Sequence, residues 1–285
     1  LIESCVANNY NFQKSGINFP DGADIFYPCI EGDGHLKYIY GIDTAAVKDN
    51  LAVVVLEVRP NHRRIVYVWT INKLKHAKLI RKGLIKETDY YSNIARKIRS
   101  LMKVFPCERM GFDMQGGGRA VCERFADKDK LQQGEQLLWP IILDDKEQDT
   151  DDYEGLHIIQ HIEFANSEWT SKANHGLRGD MEEKLLLFPE FNAVILANAV
   201  AEDARKEREI DTLEDVAMEI EELKNELTTI VMTETPISKR PHWDTPEEKL
   251  MGGRKGRQRK DRYSALLIAN AVAREIFRIY VPDTR

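Results

Sequence analysis

Three aspartates in this sequence stand where metal-dependent phosphodiester chemistry needs them. Asp43 closes the strand-like run Tyr38-Ile39-Tyr40-Gly41-Ile42-Asp43-Thr44, and alternation puts it on the face opposite Tyr38, Tyr40 and Ile42. Asp113 repeats the placement in Gly111-Phe112-Asp113-Met114, a lone acid just before Gly116-Gly117-Gly118, glycines that let a backbone or a ligand come close. Asp261 opens the last helical pattern; steps of three or four from it reach Ala265, Ile268, Val272 and Ile276, so it shares their core-facing stripe. Carboxylates gathered on one sheet repel and raise each other's pKa unless a cation joins them. Hard divalent ions, one or two Mg²⁺ or Mn²⁺, prefer oxygen ligands, and a pair roughly 4 Å apart serves both the attacking and the leaving oxygen of a phosphodiester.

Around Asp261 crowd Arg254, Lys255, Arg257, Arg259, Lys260 and Arg262, a cation patch suited to gripping a phosphate backbone without reading bases. Asp49 is a candidate support for the metal ligands, and a turn role explains it equally well. Each residue also has a plain structural reading. Asp43 can be a strand-end turn residue, Asp113 the opener of the glycine turn, Asp261 a favourable anion in a helix's first turn, and the basic run a solvated loop. Adjacency of the basic run to Asp261 favours the chemical reading.

The elements that must carry these groups follow from periodicity. Segments 38–44, 51–58 and 65–71 are rich in Val, Ile and Tyr and are joined by turn formers such as Lys48-Asp49-Asn50 and Pro60-Asn61, which predicts an antiparallel meander. Over 88–105, Tyr91, Ile94, Ile98, Leu101, Met102 and Phe105 recur at helical spacing, with Thr88 or Asp89 as N-cap. A strand at 110–114, the glycine turn, a short helix through Val121 and Phe125 and a strand within 136–143 come next, then an alternating strand at 156–164. The spacing predicts helix over 191–228 with a break near Asp211, a β-hairpin arm over 227–235, a loop over 236–260 and a closing helix from Asp261 to about residue 280. Residues 1–36, punctuated by Gly, Pro, Asn and Asp, read as an irregular lead-in.

Composition sets the class. The 285 residues are 42% hydrophobic and 31% charged, which excludes fibrous and wholly disordered chains. No apolar run approaches the roughly 18 residues of a membrane span. Cys5, Cys29, Cys107 and Cys122 form no C-x-x-C pair, so free thiols in a reducing compartment are expected rather than a disulfide scaffold or zinc knuckle. The net charge of −6 argues weakly against nucleic acid, but the acidic stretch 144–154 alone carries that excess, leaving the remainder neutral with one basic patch.

Other candidates are weaker. His157, His161 and Glu163 share a face and are a possible zinc set, or an exposed strand face. Lys73, Lys75, Lys78, Arg81, Lys82 and Lys86 read as a solvated helical face rather than a DNA contact. The triple glycine does not match G-x-G-x-x-G, and no Walker A sequence occurs, so neither a Rossmann nor a P-loop nucleotide site is expected.

The segments Tyr40-Gly41-Ile42-Asp43, Gly111-Phe112-Asp113-Met114-Gln115-Gly116-Gly117-Gly118 and Lys260-Asp261-Arg262-Tyr263-Ser264-Ala265-Leu266-Leu267 resemble the C-terminal nuclease domain of tailed-bacteriophage terminase large subunits. The resemblance implies an α/β, RNase H-like mixed β-sheet, an antiparallel three-strand meander plus parallel strands, flanked by helices. It implies that Asp43, Asp113 and Asp261 are the catalytic metal ligands of an endonuclease that cuts concatemeric double-stranded viral DNA during genome packaging with little sequence specificity. Residues 37–285 would form the nuclease domain, and 1–36 a linker or lead-in from an N-terminal packaging ATPase domain. The implied partners are double-stranded DNA, that ATPase domain, the portal protein and the terminase small subunit, without membrane, in the cytoplasm of an infected bacterial host. Rival readings are another RNase H-like nuclease, such as a resolvase or transposase catalytic domain, and a non-catalytic nucleic-acid or protein docking module.

Overall fold

The computed structural model describes residues 1–44, 50–142, 154–234, 241–249 and 255–277, with backbone alone for 247–249 and 255–257. Its sheet is built from β1 (Lys37–Thr44), β2 (Leu51–Val58), β3 (Arg63–Ile71), β4 (Cys107–Asp113), β5 (Leu138–Pro140), β6 (Leu156–Ile162) and β7 (Leu186–Leu187), in the spatial order β5-β6-β4-β1-β2-β3-β7. The meander β1-β2-β3 is antiparallel; β4 joins β1 in parallel, β6 joins β4 and β5 joins β6 in parallel, and β7 joins β3 in parallel. The sheet is mixed, an antiparallel three-strand meander plus parallel strands as expected, and its first three strands lie within two residues of the bounds read from the sequence. The run Leu-Ala-Val-Val-Val-Leu-Glu-Val of β2 is apolar at consecutive positions because both faces are covered.

The helices are α1 (Asn9–Gln13), α2 (Lys73–Arg81), α3 (Tyr90–Val104), α4 (Gly118–Phe125), α5 (Ser167–Glu182), α6 (Ala193–Arg205), α7 (Leu213–Thr229) and α8 (Asp261–Ile276). Asp89 caps α3 by accepting the Ser92 N–H, one of the two caps expected from the sequence. The loop leaving α3 packs on the sheet face that carries Tyr38 and Tyr40, where Tyr40 Oη donates to the Phe105 carbonyl at 2.7 Å. On that face Phe112 meets Phe125 of α4 edge-on. The opposite face is covered by α8, which lies across β1, β2 and β4.

Several elements differ from the sequence reading. Helix α5 is absent from it because this helix buries Asn174, Gly176 and Asp180 beside Ala173, Leu177 and Met181, which breaks the apolar stripe. Asp180 is buried because Arg63 and Arg274 pair with it and Asn270 donates to it. Strand β5 is three residues long, ending at Pro140, which has no N–H to continue a ladder. The expected hairpin arm is present as β8 (Val231–Glu234), but its partner β9 (Pro241–Asp244) and a second hairpin, β10 (Glu247–Lys249) with β11 (Lys255–Arg257), lie within the expected loop. The break expected near Asp211 is real: α6 and α7 are separate helices, and Glu207 and Asp211 adopt φ of 49° and 52° between them. Segment 1–36 is largely irregular but anchored, with Cys5, Val6 and Ala7 buried and Val6 bridging Phe188. Residues 144–153 of the acidic stretch lie outside the described residues. No helix among the described residues is long and apolar enough to cross a membrane.

Candidate active site

The two Gly-x-Asp tripeptides meet in register. Gly41 pairs with Gly111 and Ile42 with Phe112, so Asp43 and Asp113 follow side by side on the face that α8 covers. The glycines set how close α8 comes. A Cβ on Gly41 would stand 2.0 Å from the Ala265 carbonyl oxygen and 2.5 Å from the Ala269 nitrogen, and one on Gly111 would stand 2.4 Å from Ile268 Cγ2. Ala265 and Ala269 are four and eight residues beyond Asp261, so seating them on Gly41 carries the first residue of α8 to the ends of β1 and β4. Asp43, Asp113 and Asp261 are all buried, at 9%, 6% and 6% exposure.

Burial drives the carboxyl of Asp43 well above the ordinary aspartate range, and the charges of Asp113 and Asp261 push it further the same way. The Ser264 hydroxyl, one turn along α8 from Asp261, and the Lys260 ammonium oppose that rise. Asp113 is also raised by burial, against the N–H of Gln115, which donates to its Oδ1 at 3.0 Å. Asp113 therefore opens the glycine turn and faces the other acids at once. Thr44 Oγ1 lies 2.8 Å from the carbonyls of both Asp113 and Gln115, and a Cβ on Gly118 would stand 2.2 Å from the Asp113 carbonyl oxygen. The third acid is held through Asn50. Asn50 donates its backbone N–H to Asp261 Oδ2 at 3.0 Å, and the Asn50 side chain accepts from Asn72 and from Arg259.

Helix α8 has no side-chain cap of its own. Glu226 of α7 supplies one: Oε2 accepts the Tyr263 N–H at 2.9 Å, and Oε1 takes Arg262 Nη1 at 2.6 Å. Glu226→Ala is expected to destabilise the protein by about 2 kcal/mol, because Arg262 and the helix terminus lose a buried partner together. Glu226→Gln, which keeps an acceptor, should lose less than half as much in a denaturant melt.

The expected phosphate-binding group is divided. Arg262 is engaged within the protein, with Nε on Glu219 at 2.7 Å and Nη1 on Glu226, its side chain 13% exposed. Arg259 is exposed and reaches Asn50, and Lys260 pairs with Asp244 at 3.1 Å. Lys255 and Arg257 are placed on β11 by their backbone, while Arg254 and Asp49 lie outside the described residues. His157 Nδ1 contacts the Pro140 carbonyl, and His161 sits beside Phe112 in the ladder, held below the usual histidine range by burial and by Arg119. Among the described residues no trio of His, Cys, Asp or Glu side chains is gathered at metal-ligating spacing, whether the zinc set or the three aspartates. Asn50, Ser264, Thr44 and Glu226 are not among the site residues read from the sequence. Only Ser264, inside the Lys260-to-Leu267 segment and three residues from Asp261, carries a signal there.

The donor set is all oxygen and mutually repulsive, which is the chemistry a hard divalent cation relieves. Asp43, Asp113 and Asp261 share that donor chemistry, although they do not stand at ligating spacing.

No family model matches the chain. In fold it is similar to the magnesium-bound large terminase nuclease of thermophilic phage G20c, at 12% identity over 87% of this chain and 92% of that one, with a TM-score of 0.49. It is similar to the large terminase nuclease domain of Thermus phage P74-26, at 12% identity over 86% and 88%, TM-score 0.43. It is also similar to the HK97 bacteriophage large terminase, at 13% identity over 87% of this chain and 41% of that one, TM-score 0.44. Ribosomal RNA large subunit methyltransferase F of Psychrobacter sp. (strain PRwf-1) is 29% identical over 91 residues, 32% of this chain and 27% of that protein. The chain thus spans about a quarter of that curated relative's length.

Proposed function

We propose that this chain is a divalent-metal-dependent DNA endonuclease of the terminase large-subunit kind, cutting double-stranded viral DNA during genome packaging. The observation that carries the reading is the pairing of the two Gly-x-Asp tripeptides at the ends of β1 and β4, with the first residue of α8 brought to the same end of the sheet. One or two Mg²⁺ or Mn²⁺ ions held there would supply Lewis acidity toward phosphoryl oxygens and a lowered pKa for water. The protein's own groups do the rest. Asn50 and Glu226 fix Asp261 and the start of α8, and the Gln115 N–H and Thr44 fix the turn after Asp113. Arg259 and Lys260, just before Asp261, present cations to the phosphate backbone, which positions a duplex without specifying its sequence. In this reading residues 37–285 are the nuclease unit, and an ATPase domain, portal protein and terminase small subunit are its packaging partners.

Supercoiled plasmid with wild type and Mn²⁺ should be nicked and linearised without a defined cut site, and EDTA should stop it. A plasmid left intact in both Mg²⁺ and Mn²⁺ overturns the proposal. Metal binding has its own readout. At about 100 times its dissociation constant, Mn²⁺ should raise the melting temperature by roughly 5 to 10 °C through linkage, and Asp261→Asn should abolish most of that rise.

The ungathered carboxyls favour a second reading, a non-catalytic docking module in which the acids are structural. Calorimetry separates the two, since such a module shows no Mn²⁺ binding that depends on Asp43.

A further inference from the structure

We propose that α2 and the turn after it form a track for the phosphate backbone of duplex DNA, leading away from the three-aspartate site; this rests on the nuclease reading above. The segment carries Lys73, Lys75, Lys78, Arg81, Lys82 and Lys86, all exposed, and α2 contains no acid. Its inward stripe is His76, Leu79 and Ile80, which leaves Lys75, Lys78 and Lys82 on the outward side at helical spacing. Among the described residues Lys78, Arg81, Lys82 and Lys86 have no ion-pair partner, and Lys75 has only Glu219 at 3.9 Å. Cations three and four apart repel one another, and Lys73 and Lys75 oppose the positive end of the helix dipole. A solvated face gains nothing from that arrangement. A polyanion satisfies it.

Two tethers place the start of this track at the acids. Asn72 caps α2 by accepting the Lys75 N–H and donates to Asn50, whose own N–H is on Asp261. Lys73 stands 5.9 and 5.8 Å from the ring centres of Tyr90 and Tyr91, and Tyr91 fills the space a Cβ on Gly117 would need in the glycine turn after Asp113. From there α2 runs about 13 Å, against one phosphate per roughly 3.4 Å of axis along one strand of B-DNA, so a strand laid along it offers about four phosphates to the outward cations. Rigid attachment at one end and free cations beyond it are what a backbone contact beside a cutting site requires.

The test measures binding of the full chain, carrying Asp113→Asn to prevent cutting, to a short fluorescein-labelled duplex across a salt series. Lys78→Ala/Arg81→Ala/Lys82→Ala should weaken binding at least tenfold at low salt and flatten the slope of log affinity against log salt by roughly 2 to 3. Lys78→Arg/Lys82→Arg should bind as the parent does. A control removing the exposed cations Lys14, Lys128 and Arg178 should leave both quantities in place. Affinity and slope in the α2 variant equal to the control would overturn the track, as would α2-dependent binding to anionic lipid vesicles without duplex binding. The two readings fail separately. If the chain with Asp113 intact does not cut but duplex binding depends on α2, the nuclease reading falls and the track stands. If it cuts, and the α2 variant binds and cuts as well as the parent, the reverse holds.

Discussion

Asp113→Asn is expected to lower plasmid cleavage in Mn²⁺ by about a thousandfold, equivalent to about 4 kcal/mol of lost transition-state stabilisation. The substitution isolates chemistry from folding. Asparagine keeps an oxygen for the Gln115 N–H that now reaches Asp113 Oδ1, so the glycine turn retains its hydrogen bond. Metal-free stability should not fall. Burial raises the Asp113 carboxyl above the ordinary 3.8, so the folded state resists ionisation that the unfolded chain accepts. Below the unfolded value both states hold the proton and the penalty is zero. It grows as pH rises from there toward the folded value, and stays above it. Metal-free Asp113→Asn should therefore melt at or above wild type at neutral and alkaline pH, and the two should converge in acid. Undiminished cleavage by the variant would remove Asp113 from the chemistry.

The second large effect concerns the seat of α8. Gly41→Ala is expected to cost about 3 kcal/mol, since its new methyl would stand 2.0 Å from a backbone carbonyl oxygen that a packed helix cannot withdraw. Gly111→Ala should cost about 2 kcal/mol, because the obstruction there is the γ-methyls of Ile268 and Val272, buried β-branched side chains that are stiff in a helix but can shift more readily than a backbone carbonyl. Gly34→Ala, which meets nothing within 4 Å, should be neutral to slightly stabilising. Chemical denaturation of the three variants gives the ranking. Gly41→Ala should also lose cleavage at temperatures where it remains folded, because lifting α8 from β1 moves Asp261 further from the strand ends that carry Asp43 and Asp113. Equal stability of the Gly41 and Gly34 variants would mean that α8 does not rest on β1 as described.

The same glycines explain how much of the site is legible in the sequence. Gly-x-Asp at 41–43 and again at 111–113 shows two acids at strand ends, and the stripe from Asp261 through Ala265, Ile268 and Val272 shows a third acid facing the core. The three meander strands and α8 are legible because their apolar periods are uninterrupted. Illegible in the sequence is how α8 is fixed. Glu226 lies among Glu219, Glu221 and Glu222 and reads as one more charge on α7, although it is 7% exposed and caps α8. Arg262 reads as part of the basic patch, yet two of those glutamates hold it. Local sequence shows a charge but not the partner that tertiary packing supplies. Helix α5 escapes for the same reason, because Asp180 and Asn174 look exposed until Arg63, Arg274 and Tyr263 are placed against them.

Anomalous diffraction from a crystal soaked in Mn²⁺ addresses the central claim most directly. Asp43, Asp113 and Asp261, ungathered in the present structure, should close around one or two anomalous peaks, with carboxylate oxygens at coordination distance from them. No peak among these three residues at saturating Mn²⁺, or a peak held by other side chains while they stay apart, would contradict the account.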